Sequence, residues 1–78
     1  MFMEYNDGVI IDLEDVITYS INHLPNSINI PYDKLMFNYK EYLDKNKKYY
    51  LYCSKGRKSK KATEILKFYG YNVDQIKK

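Results

Sequence analysis

The sequence predicts an α/β fold: a small, mostly parallel sheet flanked by helices on both faces. Val9-Ile10-Ile11-Asp12-Leu13 is a β-branched run with almost no polar alternation, which marks a strand buried on both faces, as in a parallel sheet. Lys48 to Cys53, with Tyr49-Tyr50-Leu51-Tyr52 at its centre, is a second long strand. Between and after these runs come stretches of helical period joined by short connections. Strands alternating with helices in this way imply parallel pairing.

Residues 1–8 end in a turn signal, Asn6-Asp7-Gly8, with Phe2 and Met3 expected at the sheet edge. In the strand that follows, Asp12 lies at the carboxyl end, where ligands gather in open α/β sheets. Asp15 is placed to cap a short helix over Val16–Ser20, with Val16, Ile17 and Tyr19 facing inward. Asn22–Ser27 is a loop punctuated by Pro25, and Ile28-Asn29-Ile30 is a short strand ended by Pro31. Asp33 is the expected N-cap of a helix reaching Leu43, because Leu35, Tyr39 and Tyr42 recur at helical spacing and Met36 and Leu43 broaden the stripe. Asp44–Lys47 is a polar turn before the second long strand. A helix is expected from Ser59, with Ala62, Ile65, Leu66 and Tyr69 inward and Gly70 as its stop. Tyr71-Asn72-Val73 reads as a last short strand and Asp74–Lys78 as a tail.

A chain of 78 residues, 45% hydrophobic, is expected to be one globular domain and is too apolar for a disordered one. So short a domain needs an efficient core or a partner, and an open sheet edge makes room for a homodimer. Ten tyrosines and no tryptophan suit a thin domain, since a tyrosine packs its ring while its hydroxyl stays wet. Tyrosines interleaved with lysines invite stacking on RNA, but these fall mostly at inward positions, so no nucleic-acid partner is expected. The net charge of +3 is unevenly spread. Residues 1–15 hold Glu4, Asp7, Asp12, Glu14 and Asp15 with no basic residue, whereas residues 55–61 hold Lys55, Arg57, Lys58, Lys60 and Lys61. One cysteine excludes an internal disulfide and a multi-thiolate zinc site and fits a reducing compartment; no metal and no cofactor are expected. With no basic start leading into an apolar core and no run of membrane-spanning length, the expectation is a cytoplasmic protein without a membrane partner.

The chemistry concentrates in Cys53-Ser54-Lys55-Gly56-Arg57-Lys58-Ser59. A cysteine at a strand end, then a Gly-containing basic turn and a helix, is a nucleophile in an anion cradle. The first N–H groups of a helix have no internal partner, and they favour a thiolate and any oxyanion beside it. Gly56 lets the backbone curl inward, Lys55, Arg57 and Lys58 supply positive charge, and Ser54 and Ser59 add hydroxyl donors. Without that turn, Cys53 would read as a small buried hydrophobe. Phosphoryl or arsenate chemistry on a Cys-x5-Arg loop would need arginine at the position of Ser59, and is disfavoured. His23 reads as a structural loop residue, Asp12 as a partner for N–H groups at a strand end, and Lys60 and Lys61 as a solvated helix face.

These residues resemble the rhodanese family of sulfurtransferase domains. Val9–Leu13 resembles the family's first core strand, which ends in Asp. His23-Leu24-Pro25 followed by Ser27-Ile28-Asn29-Ile30-Pro31 resembles its His-Ile-Pro-Gly-Ala-x-Asn-Ile-Pro stretch. Tyr49–Cys53 with Gly56 and Ser59 resembles its strand and Cys-x-x-Gly-x-Arg-Ser loop, and Ala62–Tyr71 resembles the helix and Gly-Tyr turn after it. Departures are Glu14 where Arg is common, Lys58 at the loop's arginine with Arg57 one place earlier, and Asn26 for Gly. The pattern is also trimmed at both termini, stopping before the Gly-Gly turn and final helix. The resemblance implies a rhodanese-like domain in which Cys53 attacks the sulfane sulfur of a small anionic donor such as thiosulfate and carries it as a persulfide. Ser54, Lys55, Gly56, Arg57, Lys58 and Ser59 would form the anion cradle. With no second cysteine, the sulfur would leave to an external acceptor: cyanide, a thiol or a protein. The departures favour an alternative, a catalytically weak or inactive member serving as a binding or sulfur-relay module.

Overall fold

The two apolar runs form the centre of a four-stranded, all-parallel sheet. The computed structural model describes residues 7–77, so the expectation for Phe2 and Met3 falls outside the described residues. In chain order the elements are β1 (Val9–Asp12), α1 (Val16–Ile21), β2 (Ser27–Asn29), α2 (Tyr32–Phe37), α3 (Tyr39–Tyr42), β3 (Lys48–Tyr52), α4 (Arg57–Phe68) and β4 (Asn72–Gln75). The strand order is β2-β1-β3-β4. β1 and β3 pair in register from Val9 opposite Tyr49 to Asp12 opposite Tyr52.

Both faces of the central strands are covered, which explains their lack of polar alternation. On one face Ile11, Leu13, Tyr49, Leu51, Cys53 and Val73 pack with Leu35, Leu43, Ala62 and Leu66 from the α2–α4 side. On the other, Tyr50, Tyr52 and Ile76 cluster with Ile10 and Leu24. The chain steps from β1 outward to β2, then returns past β1 to β3 and on to β4. Right-handed crossovers therefore place α1 on the face opposite α2–α4. The reversal lies between β1 and β3, and in open parallel sheets the crevice outside such a pair is the place for a ligand. No helix among the described residues is long and apolar enough to cross a membrane.

Several expectations are corrected at the periphery. Asp15 caps α1 as anticipated, its Oδ1 accepting the Thr18 N–H at 2.8 Å, and that bond holds its carboxyl below the ordinary range. Yet Val16 and Ile17 are 64% and 72% exposed rather than inward. A helix of six residues has room for one anchoring side chain. Here Tyr19 serves, donating its hydroxyl to Ser27 O. The helix expected from Asp33 to Leu43 is two: Pro31 is the cap of α2, and Asn38 breaks the run. The Asn38 side chain donates to Lys34 O, the local competition by which Asn ends helices. Consequently Tyr42 is 40% exposed although Leu35 and Leu43 are buried. β2 begins at Ser27 rather than Ile28. α4 begins at Arg57, two residues before Ser59, and Tyr69 lies partly exposed, stacked on Tyr39. β4 runs on to Gln75 through residues read as a tail, with Asp74 paired to Lys48 and Lys67.

Candidate active site

β3 delivers Cys53 to the carboxyl edge of the sheet, on the face covered by α4. The chain then turns sharply, the Gly56 N–H donating to Cys53 O at 3.3 Å. Gly56 has φ of +81°, in the left-handed region that side chains with a Cβ resist, and it is the cap from which α4 starts. This turn brings the first turn of α4 back over the cysteine. The Ser59 N–H donates to Cys53 Sγ at 3.3 Å, and the thiol lies 3.5 Å from Ser59 Oγ. Cys53 is 5% exposed and Ser59 fully buried. The sulfur therefore forms the floor of the site, aligned with the positive end of a helix of 12 residues.

Two clefts open from this floor. The larger, about 470 Å³, is lined by Cys53, Ser54, Lys55, Gly56, Arg57 and Lys60 with Gln75, Ile76 and Lys77 from the end of β4 and beyond. The smaller, about 350 Å³, is lined by Glu14, Cys53, Ser54, Lys55, Arg57 and Lys58. The structure thus gathers all seven residues from Cys53 to Ser59 at one place, Ser59 beneath the sulfur and the others around it. Lys60 belongs to the cleft wall and not only to a solvated face. Among the described residues the ion pairs are Lys48–Asp74 and Lys67–Asp74, so Lys55, Arg57, Lys58 and Lys60 present their charge to the clefts. The N–H groups of Arg57 and Lys58 open the helix, where no helical carbonyl can receive them.

Gln75 and Glu14, outside the expected site, complete it. Gln75 Nε2 donates to Gly56 O and to Ser59 Oγ, both at 2.9 Å, tying the loop to β4. It was hidden because its stretch read as a tail; the one signal was the spacing of apolar Val73 and Ile76 on either side of it. Glu14 Oε2 accepts the Ser54 N–H at 2.6 Å. Its backbone is held from both sides: the Glu14 N–H donates to Asp12 Oδ1 at 2.9 Å, and Asn29 Nδ2 donates to Glu14 O at 2.8 Å. Asp12 is buried, and burial pushes its carboxyl above the ordinary range, against the opposing Glu14 N–H. It positions the Glu14 loop and does not line either cleft. His23 lies away from the sulfur, its Nδ1 bonded to Tyr19 O at 2.7 Å and its ring stacked on Tyr19. No group of three or more metal-ligating side chains occurs among the described residues.

Residues 2–77 match the family model described as Rhodanese-like domain. Among curated proteins, the chain is 32% identical over 81 residues to the tRNA uridine(34) hydroxylase of Buchnera aphidicola subsp. Baizongia pistaciae. That match covers 96% of this chain and 26% of the hydroxylase, so the chain spans about a quarter of that relative's length. Of solved structures, a rhodanese-related protein from Thermoplasma volcanium aligns with a TM-score of 0.79 at 31% identity, over 88% of this chain and 69% of that one. The reduced CoADR-RHD of Bacillus anthracis aligns with a TM-score of 0.81 at 30% identity, over 91% of this chain and 13% of that one.

Proposed function

The chain belongs to the rhodanese-like domain family, and from that premise we propose that it is a sulfurtransferase carrying sulfane sulfur as a persulfide on Cys53. The observation that carries this reading is the seat of the sulfur: Cys53 Sγ accepts the Ser59 N–H at 3.3 Å at the start of α4, below clefts lined by Lys55, Arg57, Lys58 and Lys60. A helix N-terminus with nearby cations favours the thiolate, which is the nucleophile.

The Cys53 thiolate attacks the outer, sulfane sulfur of the donor. A new S–S bond forms, the donor's S–S bond breaks, and the leaving group departs with the electron pair. From thiosulfate it departs as sulfite. An external acceptor, a thiol, cyanide or a protein nucleophile, then attacks the outer sulfur of the persulfide and returns Cys53 to the thiolate. The cations from Lys55 to Lys58 and the first N–H groups of α4 stabilise the charge that moves between these groups. Cytoplasm, a reducing setting, suits the exchange.

Incubation with thiosulfate and, separately, with a small alkyl persulfide, followed by intact mass measurement, tests the reading. One added sulfur is expected, and none in Cys53→Ser. An adduct from neither donor, or one that survives Cys53→Ser, refutes it. The relative named as a tRNA hydroxylase supports a second reading, in which the chain is the cysteine-bearing part of a tRNA-modifying enzyme. That reading requires tRNA binding that weakens steeply with salt, through Lys55, Arg57, Lys58 and Lys60.

A further inference from the structure

We infer that Glu14 occupies the anion seat of the cleft and selects the donor: an alkyl persulfide of single charge, against a dianionic oxyanion such as thiosulfate. The inference rests on the sulfurtransferase reading above. Ser54, whose N–H is the first backbone donor after the nucleophile, lines both clefts. That N–H is engaged by the Glu14 carboxylate at 2.6 Å, a short, charge-assisted bond. A carboxylate on such a donor does what a substrate oxyanion would do there.

Glu14 is held at its backbone. Its N–H is fixed by Asp12 Oδ1 and its carbonyl by Asn29 Nδ2, so the backbone on either side of the side chain is anchored to the sheet. No cation lies within ion-pair distance of its carboxylate among the described residues, so its charge is not neutralised by direct pairing. The smaller cleft is therefore polarised. Glu14 lines it together with Ser54, Lys55, Arg57, Lys58 and Cys53.

A dianionic donor entering this cleft must displace the carboxylate from Ser54 or settle beside it, and like charges at contact distance repel. A persulfide R–S–S⁻ brings one charge, spread on a polarisable sulfur, and an apolar R group that needs no oxyanion seat. Protonated as R–SSH, it brings none. Cys53–S⁻ attacks the terminal sulfur of R–SSH, a new S–S bond forms to Cys53, the S–S bond of the persulfide breaks, and R–S⁻ leaves with the electron pair. The proton stays with the transferred sulfur, giving Cys53–SSH, and no oxidant or reductant is required.

The experiment compares loading of Cys53 from thiosulfate and from a small alkyl persulfide by time-resolved intact mass, in wild type, Glu14→Gln and Glu14→Arg. Gln keeps the shape and can still accept from Ser54, and Arg reverses the charge. Wild type should load faster from the persulfide. The thiosulfate-to-persulfide rate ratio should rise by about tenfold in Glu14→Gln and further in Glu14→Arg, chiefly through a lower half-saturating thiosulfate concentration, as expected for one like charge removed. A ratio indifferent to residue 14, or wild type loading equally well from thiosulfate, overturns the inference while leaving sulfur transfer intact. Loading from neither donor removes both.

Discussion

Replacing Gln75 by leucine tests whether the loop around Cys53 is held from across the sheet. The substitution removes two hydrogen bonds at 2.9 Å, to Gly56 O and Ser59 Oγ. Neither acceptor is left bare: Gly56 O keeps the Lys60 N–H at 3.1 Å and the Ser59 hydroxyl at 3.3 Å. The loss is therefore the net value of two bonds, about 0.5–1.5 kcal/mol each, without a further penalty for a stranded group. For a domain of this size 1 kcal/mol moves the thermal midpoint by about 4–8 °C, so a loss of about 2 kcal/mol should lower it by roughly 8–16 °C. Thermal denaturation followed by circular dichroism reads this directly. Because the Ser59 hydroxyl also lies against the Cys53 sulfur, a double-mutant cycle with Ser59→Ala should show coupling of about 0.5–3 kcal/mol. A midpoint within about 2 °C of wild type, roughly half a kcal/mol or less, refutes the reasoning, as does strict additivity with Ser59→Ala.

Gly56→Ala should cost about 1–2 kcal/mol in a urea titration and slow sulfur loading. The added Cβ has room, 3.6 Å from Gln75 Nε2, so the cost comes from φ of +81°. Thr63→Val should raise the urea midpoint, by about 1 kcal/mol of stability, because the buried Thr63 hydroxyl has no partner among the described residues. The Asp12 carboxyl titrates higher in the folded chain than in the unfolded one, so the folded state binds more proton in that window. Its contribution to stability should fall as pH rises from the ordinary carboxylate range through the raised value, and Asp12→Asn should abolish that slope in pH-dependent unfolding. Asp74 has the opposite sign: the Lys48 ammonium, then Lys67, holds its carboxyl down, so its contribution is present above the ordinary range and is lost as pH falls through the lowered value. Comparison of wild type with Asp74→Asn across that acid range measures it.

What could be read in advance follows the range of the forces involved. β1 and β3 were legible because burial on both faces leaves a continuous apolar run in each. The loop from Cys53 to Ser59 was legible because its chemistry sits in seven consecutive residues. Ends and edges were not. α1 carries exposed Val16 and Ile17, which local period assigns inward, because so short a helix has one anchoring contact. The break at Asn38 depends on a side chain bonding to Lys34 O, which competes with a stripe that looks unbroken. Asp74 concealed β4, since two lysines brought from elsewhere in the chain make its charge tolerable in a strand. Glu14 and Gln75 reach the cysteine loop from 40 residues upstream of Ser54 and 19 downstream of Gly56, separations that no local pattern bridges.

The pairing of Asp12 with Tyr52 means that the two central strands leave the sheet at the same height, so Glu14 and Ser54, each two places further on, arrive opposite one another. This makes the chain unequally tolerant of changes in length. Residues added to the Asp44–Lys47 turn at the amino end of β3 enter the sheet nowhere and can be absorbed as slack. One residue added within β3 moves Cys53 to the face occupied by Tyr50 and Tyr52, away from α4, because successive side chains alternate. The same insertion carries Ser54 out of step with Glu14. Added length is thus tolerated at one end of the sheet, while the length of the central strand is tied to the placement of Cys53 under α4.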